Sequence, residues 1–393
     1  MTGRRTAPPL VARALVFVLV LSGASAAVRQ PSWLGAPQSV SAGVEFFTTT
    51  DRTLVDPPGP IAAYLLRLDP RPVRLASVLS NDEVMGAETV DAIAARHRAV
   101  AAVNGGFFDV KTGEPVSLLK VAGELVSDSA AVKGAVAIQS PPRGRTELWF
   151  DQIAARLSLK FKTVGRDYVV PIDGVDTTRA RGKLMLFTPM YHADTDTALN
   201  GTEWTLDGKP LTVIDVRPNA GHTPIPHAGA VLSFGGLELP DALAVLAPGV
   251  QVTFETTWKT LNGLTAKQLD RADAIVNGAG LLRLHGKVPA NWETGESLVP
   301  ATFINMRHPR TLIGVDGKGF IWLAAIDGRQ PDYSVGMAFP DLERLCDRLG
   351  LTDALNLDGG GSTTMVVNGK IVNKPSDAAG PRPVSDAILV SVR

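Results

Sequence analysis

The run Pro340-Asp341-Leu342-Glu343-Arg344-Leu345-Cys346-Asp347-Arg348-Leu349-Gly350, followed by Ala354-Leu355-Asn356-Leu357-Asp358-Gly359-Gly360-Gly361-Ser362-Thr363-Thr364, decides how this chain is read. Leu342, Leu345, Cys346 and Leu349 recur at helical spacing, so the first part predicts a helix that stops at Gly350. The apolar run Ala354 to Leu357 then predicts a buried strand, and it ends abruptly in a carboxylate and three glycines. Three consecutive glycines are costly to order, because each loses more backbone entropy than any other residue. Such a run implies close approach of the backbone to something. Successive N–H groups in a turn of this kind can form a nest for a phosphate oxygen, with the hydroxyls of Ser362 and Thr363 as further donors. A β-bulge or a flexible hairpin is the plainer reading of the same residues.

Outward from this point the chain is dominated by short β-type runs. They fall at 62–68, 75–79, 100–103, 136–138, 184–187, 211–216, 251–254, 311–315, 320–325, 365–367 and 387–392. Helical periodicity is confined to 89–98, 340–349 and, more weakly, 266–271. Many strands, few helices and no regular βαβ alternation predict an α+β fold with β-rich mixed sheets in a single large domain. Three segments follow: a leader over 1–27, a linker with a first strand over 28–60, and the domain over 61–393. In the leader, Arg4, Arg5 and Arg13 precede an apolar run from Ala14 to Leu21 and the small residues 22–27, the order of a cleaved export signal. That run is shorter than the roughly 20 residues a spanning helix needs. Export to the periplasm, cell envelope or medium is therefore expected, with no stable membrane span after cleavage.

Composition removes several function classes. Lys plus Arg equals Asp plus Glu at 39 each, so no global charge draws the chain to nucleic acid. The single cysteine, Cys346, lies on the apolar face of its helix and reads as core. Gly359 to Thr364 lacks the lysine of a phosphate-binding P-loop, no nucleophile elbow surrounds Ser362, and there is no H-E-x-x-H pair. His192, Asp194, Asp196, His222 and His227 match no standard metal site, so neither metal nor cofactor is expected.

Three further runs carry candidate chemistry. Strand 100–103 ends in Asn104-Gly105-Gly106-Phe107-Phe108-Asp109, which reads equally as a capped β-turn. Arg307-His308-Pro309-Arg310-Thr311 and Asp327-Gly328-Arg329 flank strands 311–315 and 320–325, and arginine is well matched to phosphate oxygens. Arg382-Pro383-Val384-Ser385-Asp386 precedes the final strand, where a structural ion pair is the alternative.

Taken in order, Ala101 to Phe108, Arg307 to Gly314, Asp327 to Arg329, Asn356 to Met365 and Arg382 to Ala387 resemble blocks of the phosphodiester glycosidase family. The resemblance runs from about Ile61 onward and weakens over 140–181 and 218–226. It implies an exported hydrolase that breaks the bond between an anomeric carbon and a phosphodiester, acting on a sugar phosphate or glycan. In that reading Gly359, Gly360, Gly361, Ser362 and Thr363 bind the phosphate together with one or two of Arg310, Arg329 and Arg382. Asp358 or Asp327 assists attack at the anomeric carbon, Asn104 orients the sugar or the attacking water, and Asp386 and Phe107 complete the substrate site. Phosphate is a competent leaving group, so donors for it matter more than a strong general acid. Two competing readings share the glycines and arginines: an envelope protein that only binds polysaccharide, and a metal-dependent phosphodiesterase.

Overall fold

A computed structural model describes residues 1–3, 31–163, 165–236, 238–289 and 291–393. The leader expected over 1–27 lies outside the described residues apart from its first three. The chain divides into a short unit, Met1–Ser32, and a body, Trp33–Arg393. Among the described residues no helix is long and apolar enough to cross a membrane.

Among the described residues the body is β-rich, with four sheets and few helices. The first sheet runs Gln38–Ser41, Val44–Thr49, Ala63–Leu68, Ile321–Ile326, Arg310–Asp316, Leu351–Asn356, Leu281–Arg283, each pair antiparallel. The second runs Lys370–Ile371, Met365–Val367, Ala101–Asn104, Asp386–Val392, Val73–Leu79, also antiparallel throughout. A third is built on the 17-residue strand Glu147–Thr163. The fourth, around Ala230–Phe234, contains the one parallel pair found among the described strands, Gly174–Val175 beside Leu184–Phe187. Mixed pairing is thus confined to one sheet.

Burial explains which runs became strands. Ile321–Ile326 is buried at every position because the first sheet is covered on both faces, and its sequence is correspondingly apolar without alternation. Leu66, Leu68, Ile313, Leu323 and Leu355 point into a core shared with Leu75, Val103 and Ile388 of the second sheet and Val136 and Val276 of the third. On the opposite face Leu65, Leu312, Trp322 and Ala324 pack against Phe339, Leu342, Leu345 and Cys346 of helix Phe339–Leu349. Cys346 is fully buried and burial pushes its thiol up to about 12, which suits the core role expected of it.

The stretch expected as linker and first strand contributes two strands, and Leu34, Phe47, Leu54 and Val55 are buried in the core beneath the helix. The compact body therefore begins at Trp33, well before Ile61. The short apolar repeats near the start of that stretch are masked in sequence by Pro, Gly and Ser between them.

Candidate active site

The triple-glycine segment is the crossover between two sheets. Strand Leu351–Asn356 belongs to the first sheet and Met365–Val367 to the second, and residues 357–364 pass from one to the other. Asn104, at the end of Ala101–Asn104, fastens this crossing. Its side-chain amide donates to the carbonyl of Asp358 at 2.8 Å, and its Oδ1 accepts from the Thr311 hydroxyl at 2.7 Å and the Thr364 N–H at 3.3 Å. The Asp358 N–H donates in turn to the Gly105 carbonyl at 3.2 Å. Asn104 is fully buried, and its amide is engaged in joining the sheets.

Within the crossing most backbone donors are already spent. Gly359 N–H donates to its neighbour's carboxylate at 2.8 Å, Gly360 N–H to the Pro309 carbonyl, and those of Ser362 and Thr363 to the Gly359 and Gly360 carbonyls in a 3-10 turn. The expected phosphate nest is therefore reduced to the Gly361 N–H. Ser362 and Thr363 are also turned inward: Thr363 Oγ1 lies 3.4 Å from the Thr311 hydroxyl oxygen, and the buried Ser362 hydroxyl lies by Asp358 without a well-formed hydrogen bond.

What the glycines provide is a floor on which cations can rest. Gly360 adopts φ +62, and a side chain there would meet the Arg329 guanidinium at 3.0 Å. A Cβ at Gly361 would lie 2.3 Å from Arg382 Nη2 and 2.3 Å from Asp377 Oδ2. Arg382 is paired with Asp377 at 2.7 Å, both partly exposed. Arg329 is exposed, and Nη2 donates toward His308 Nδ1 at 3.4 Å.

Arg310 is anchored largely within the protein. It is 2% exposed and donates to the carbonyls of Met337, Phe303 and Met306, while its guanidinium lies 4.9 Å and 5.1 Å from the Phe303 and Phe339 rings. Burial, then the nearby Arg329 charge, lowers it to about 10. Those contacts brace the Arg310 side chain against the aromatic rings and the 303–306 turn. Phe107 is half-buried against Phe303, with ring centroids 6.2 Å apart, and forms part of the same aromatic wall.

The three carboxylates differ in setting. Asp358 is partly exposed; burial pushes its carboxyl up to about 6, the Asp386 charge adds to the rise, and Ser362, the Gly359 N–H and Arg382 oppose it. Asp386 is buried, also pushed up to about 6 by burial, and accepts from Gly106 N–H at 3.0 Å, Ser385 at 3.2 Å and Ser77 at 3.3 Å. A Cβ on Gly105 would lie 1.9 Å from its Oδ2, which is why glycine stands there. Asp386 thus acts on Asp358 from behind the turn. Asp327 is buried and turned inward, accepting from Asn373 at 2.9 Å, the Lys374 N–H at 2.9 Å and Tyr333 at 3.1 Å. Burial raises its carboxyl against those three donors. Asn373 also donates to the Thr363 carbonyl at 3.0 Å, so Asp327 holds the far end of the crossing.

Three residues of this site escaped the sequence reading as individuals. His308 stood inside a quoted run without being singled out. Asp377 and Asn373 lie in a loop with no motif of their own, and only the fold brings them beneath the glycines. Asp194, Asp196 and His222 gather on the protein surface with donor atoms within 4.8 Å of one another, while His192 pairs with Glu83.

Comparison with known proteins gives a resemblance to the phosphodiester glycosidases. Residues 200–391 match that family's model, and the chain resembles the family. Over 104 residues it is 34% identical to the human N-acetylglucosamine-1-phosphodiester alpha-N-acetylglucosaminidase, a match that spans 25% of this chain and 20% of the human protein. Two crystal structures share the fold. A hypothetical protein from Synechocystis superposes with a TM-score of 0.73 at 22% identity, covering 90% of this chain and 63% of that one. A protein from Burkholderia pseudomallei K96243 gives 0.68 at 24% identity, covering 85% and 74%.

Proposed function

We propose that this chain is the α+β catalytic domain of an exported hydrolase that breaks the glycosidic C–O bond of a sugar-1-phosphodiester. One observation carries the reading: a partly exposed carboxylate, Asp358, stands at the edge of a glycine floor on which two arginines rest. In this reading Arg329 and Arg382, with the Gly361 N–H, hold the phosphate, and Asp358 assists attack at the anomeric carbon. Water adds to that carbon, its proton passes to solvent or to Asp358, and the C–O bond pair leaves with the phosphate. A free sugar and a phosphomonoester result. Positive charge aimed at the leaving phosphate stabilises the transition state without a strong acid. Asp386 acts through Asp358, while Asn104, Asp327 and Arg310 hold the frame.

The substrate is an N-acetylglucosamine-1-phosphodiester or a glycosyl-phosphate polymer of an envelope or exopolysaccharide. The human relative's name supports the first. The arginine-led leader and the Burkholderia structure, described as an exported protein, support action outside the cytoplasm. The test is turnover of N-acetylglucosamine-1-phosphate methyl diester in ¹⁸O water, followed by NMR. Label on the sugar is the expected outcome. Label on phosphate would mean P–O cleavage and overturn the reading, and saturable binding with no turnover would make the protein a binder.

A further inference from the structure

His308 has no role in the reading above, yet each of its ring nitrogens has a partner. Nε2 lies 2.9 Å from the Thr302 carbonyl, in the π-helical turn Pro300–Ile304, and Nδ1 lies 3.4 Å from Arg329 Nη2. A carbonyl only accepts, so Nε2 carries the proton. A guanidinium only donates, so Nδ1 presents its lone pair. Both contacts are satisfied by one species alone, the neutral Nε2–H tautomer. The backbone beneath is clamped by exchange of hydrogen bonds with Met337 at 3.2 Å and 2.9 Å.

We infer that neutral His308 is a positioning residue that holds Arg329 over Gly360, and that protonating it releases the arginine and weakens phosphodiester binding. Protonation fills the Nδ1 lone pair and places an imidazolium beside Arg329 and Arg310. These are the charged groups that face the ring, one from the turn after Ile321–Ile326 and one from strand Arg310–Asp316. Arg307, next in sequence, is held by Asp341 of the helix at 3.1 Å. Burial, opposed by the Thr302 contact and reinforced by the two arginines, lowers the ring's proton affinity, which favours the working tautomer near neutrality.

The kinetic arm of the test rests on the phosphodiester reading, and the spectroscopic arm does not. With the methyl diester, whose single charge does not change over the range, wild-type KM is expected to rise several-fold as pH falls through the His308 titration. His308→Asn keeps an acceptor near Nδ1 without titrating, so its KM is expected to stay at the neutral wild-type value at every pH. His308→Leu should show the raised KM throughout, with normal thermal unfolding. A wild-type KM that is flat or falls on acidification overturns the inference, because a simple electrostatic role for imidazolium would tighten binding. Independently, ¹⁵N NMR of labelled protein should report the Nε2–H tautomer for His308 and an upward shift of its titration in Arg329→Gln. An Nδ1–H tautomer or an unmoved titration overturns the inference even if no diester is turned over.

Discussion

Asp358 and Asp327 are both aspartates at the ends of buried strands, and only their surroundings separate them. Asp358 is partly exposed and accepts through Oδ1 from the Gly359 N–H, whereas both oxygens of Asp327 are engaged by protein donors. Asp358→Asn is therefore expected to lower kcat by about 10² to 10⁴, the range for loss of a positioned acid–base group, with little change in unfolding temperature. Asp327→Asn is expected to do the reverse: about 1–3 kcal/mol lost in denaturant titration as the donors of Lys374 and Asn373 lose charge-assisted partners, with kcat of the folded fraction within tenfold. Equal losses of kcat would return Asp327 to the chemistry. Gly361→Ala tests the floor. Its new methyl would enter the space of Arg382 and Asp377, and a displacement of about 1.4 kcal/mol in ground-state binding would appear as a tenfold rise in KM.

At the level of strands and turns, the site is a seam, and the seam depends on one side chain. Asn104→Ala would strand the Thr311 hydroxyl, the Thr364 N–H and the Asp358 carbonyl together, all in or near buried surroundings. A cost of about 2–4 kcal/mol in chemical denaturation is expected, at the upper end for point substitutions because several partners are lost at once. A loss below 1 kcal/mol would show that the sheets are held by packing alone. Element type was legible wherever a run carried its own period. Leu184–Phe187, Met365–Val367 and helix Ala266–Arg271 stand where the spacing put them. Strand Glu147–Thr163 was not legible, because Asp151, Gln152 and Arg156 interrupt its apolar run. Asp151 and Gln152 are buried, and the Asp151 carboxylate accepts N–H groups from Leu261, Asn262 and Leu264 across the fold. The same limit applies to the site. Asp358 and the glycines announce themselves, but the inward turn of Arg310 depends on Phe303 and Phe339, whose positions no local pattern specifies.

Across the whole molecule, burial of carboxylates ties stability to pH. Asp386 has a folded-state value raised from 3.8 to about 6, so its protonated form is the better fit to the fold. Its contribution is fully present below about 3.8 and is lost as pH rises through about 6. Removing the charge should then help at higher pH: Asp386→Asn is expected to be more stable than the parent above pH 6, by up to about 3 kcal/mol at 1.36 kcal/mol per unit, and indistinguishable below pH 4. Thermal unfolding from pH 4 to 8 measures this, and a variant less stable at pH 8 would contradict it. Because Asp358 shares the field of Asp386, the same substitution should move the acid limb of kcat, expected near pH 6, to lower pH.

Strand Asp386–Val392 lies between Ala101–Asn104 and Val73–Leu79, and Asp386 meets Ser77 across 309 positions of sequence. During synthesis, then, the turn at Gly105 waits for its carboxylate until nearly three hundred further residues have been made. The second sheet cannot be completed before strand Asp386–Val392 has been made. Strands of the other three sheets all precede residue 357, so docking of Asp386–Val392 is a late step that completes the second sheet and gives the Gly105 turn its carboxylate contact.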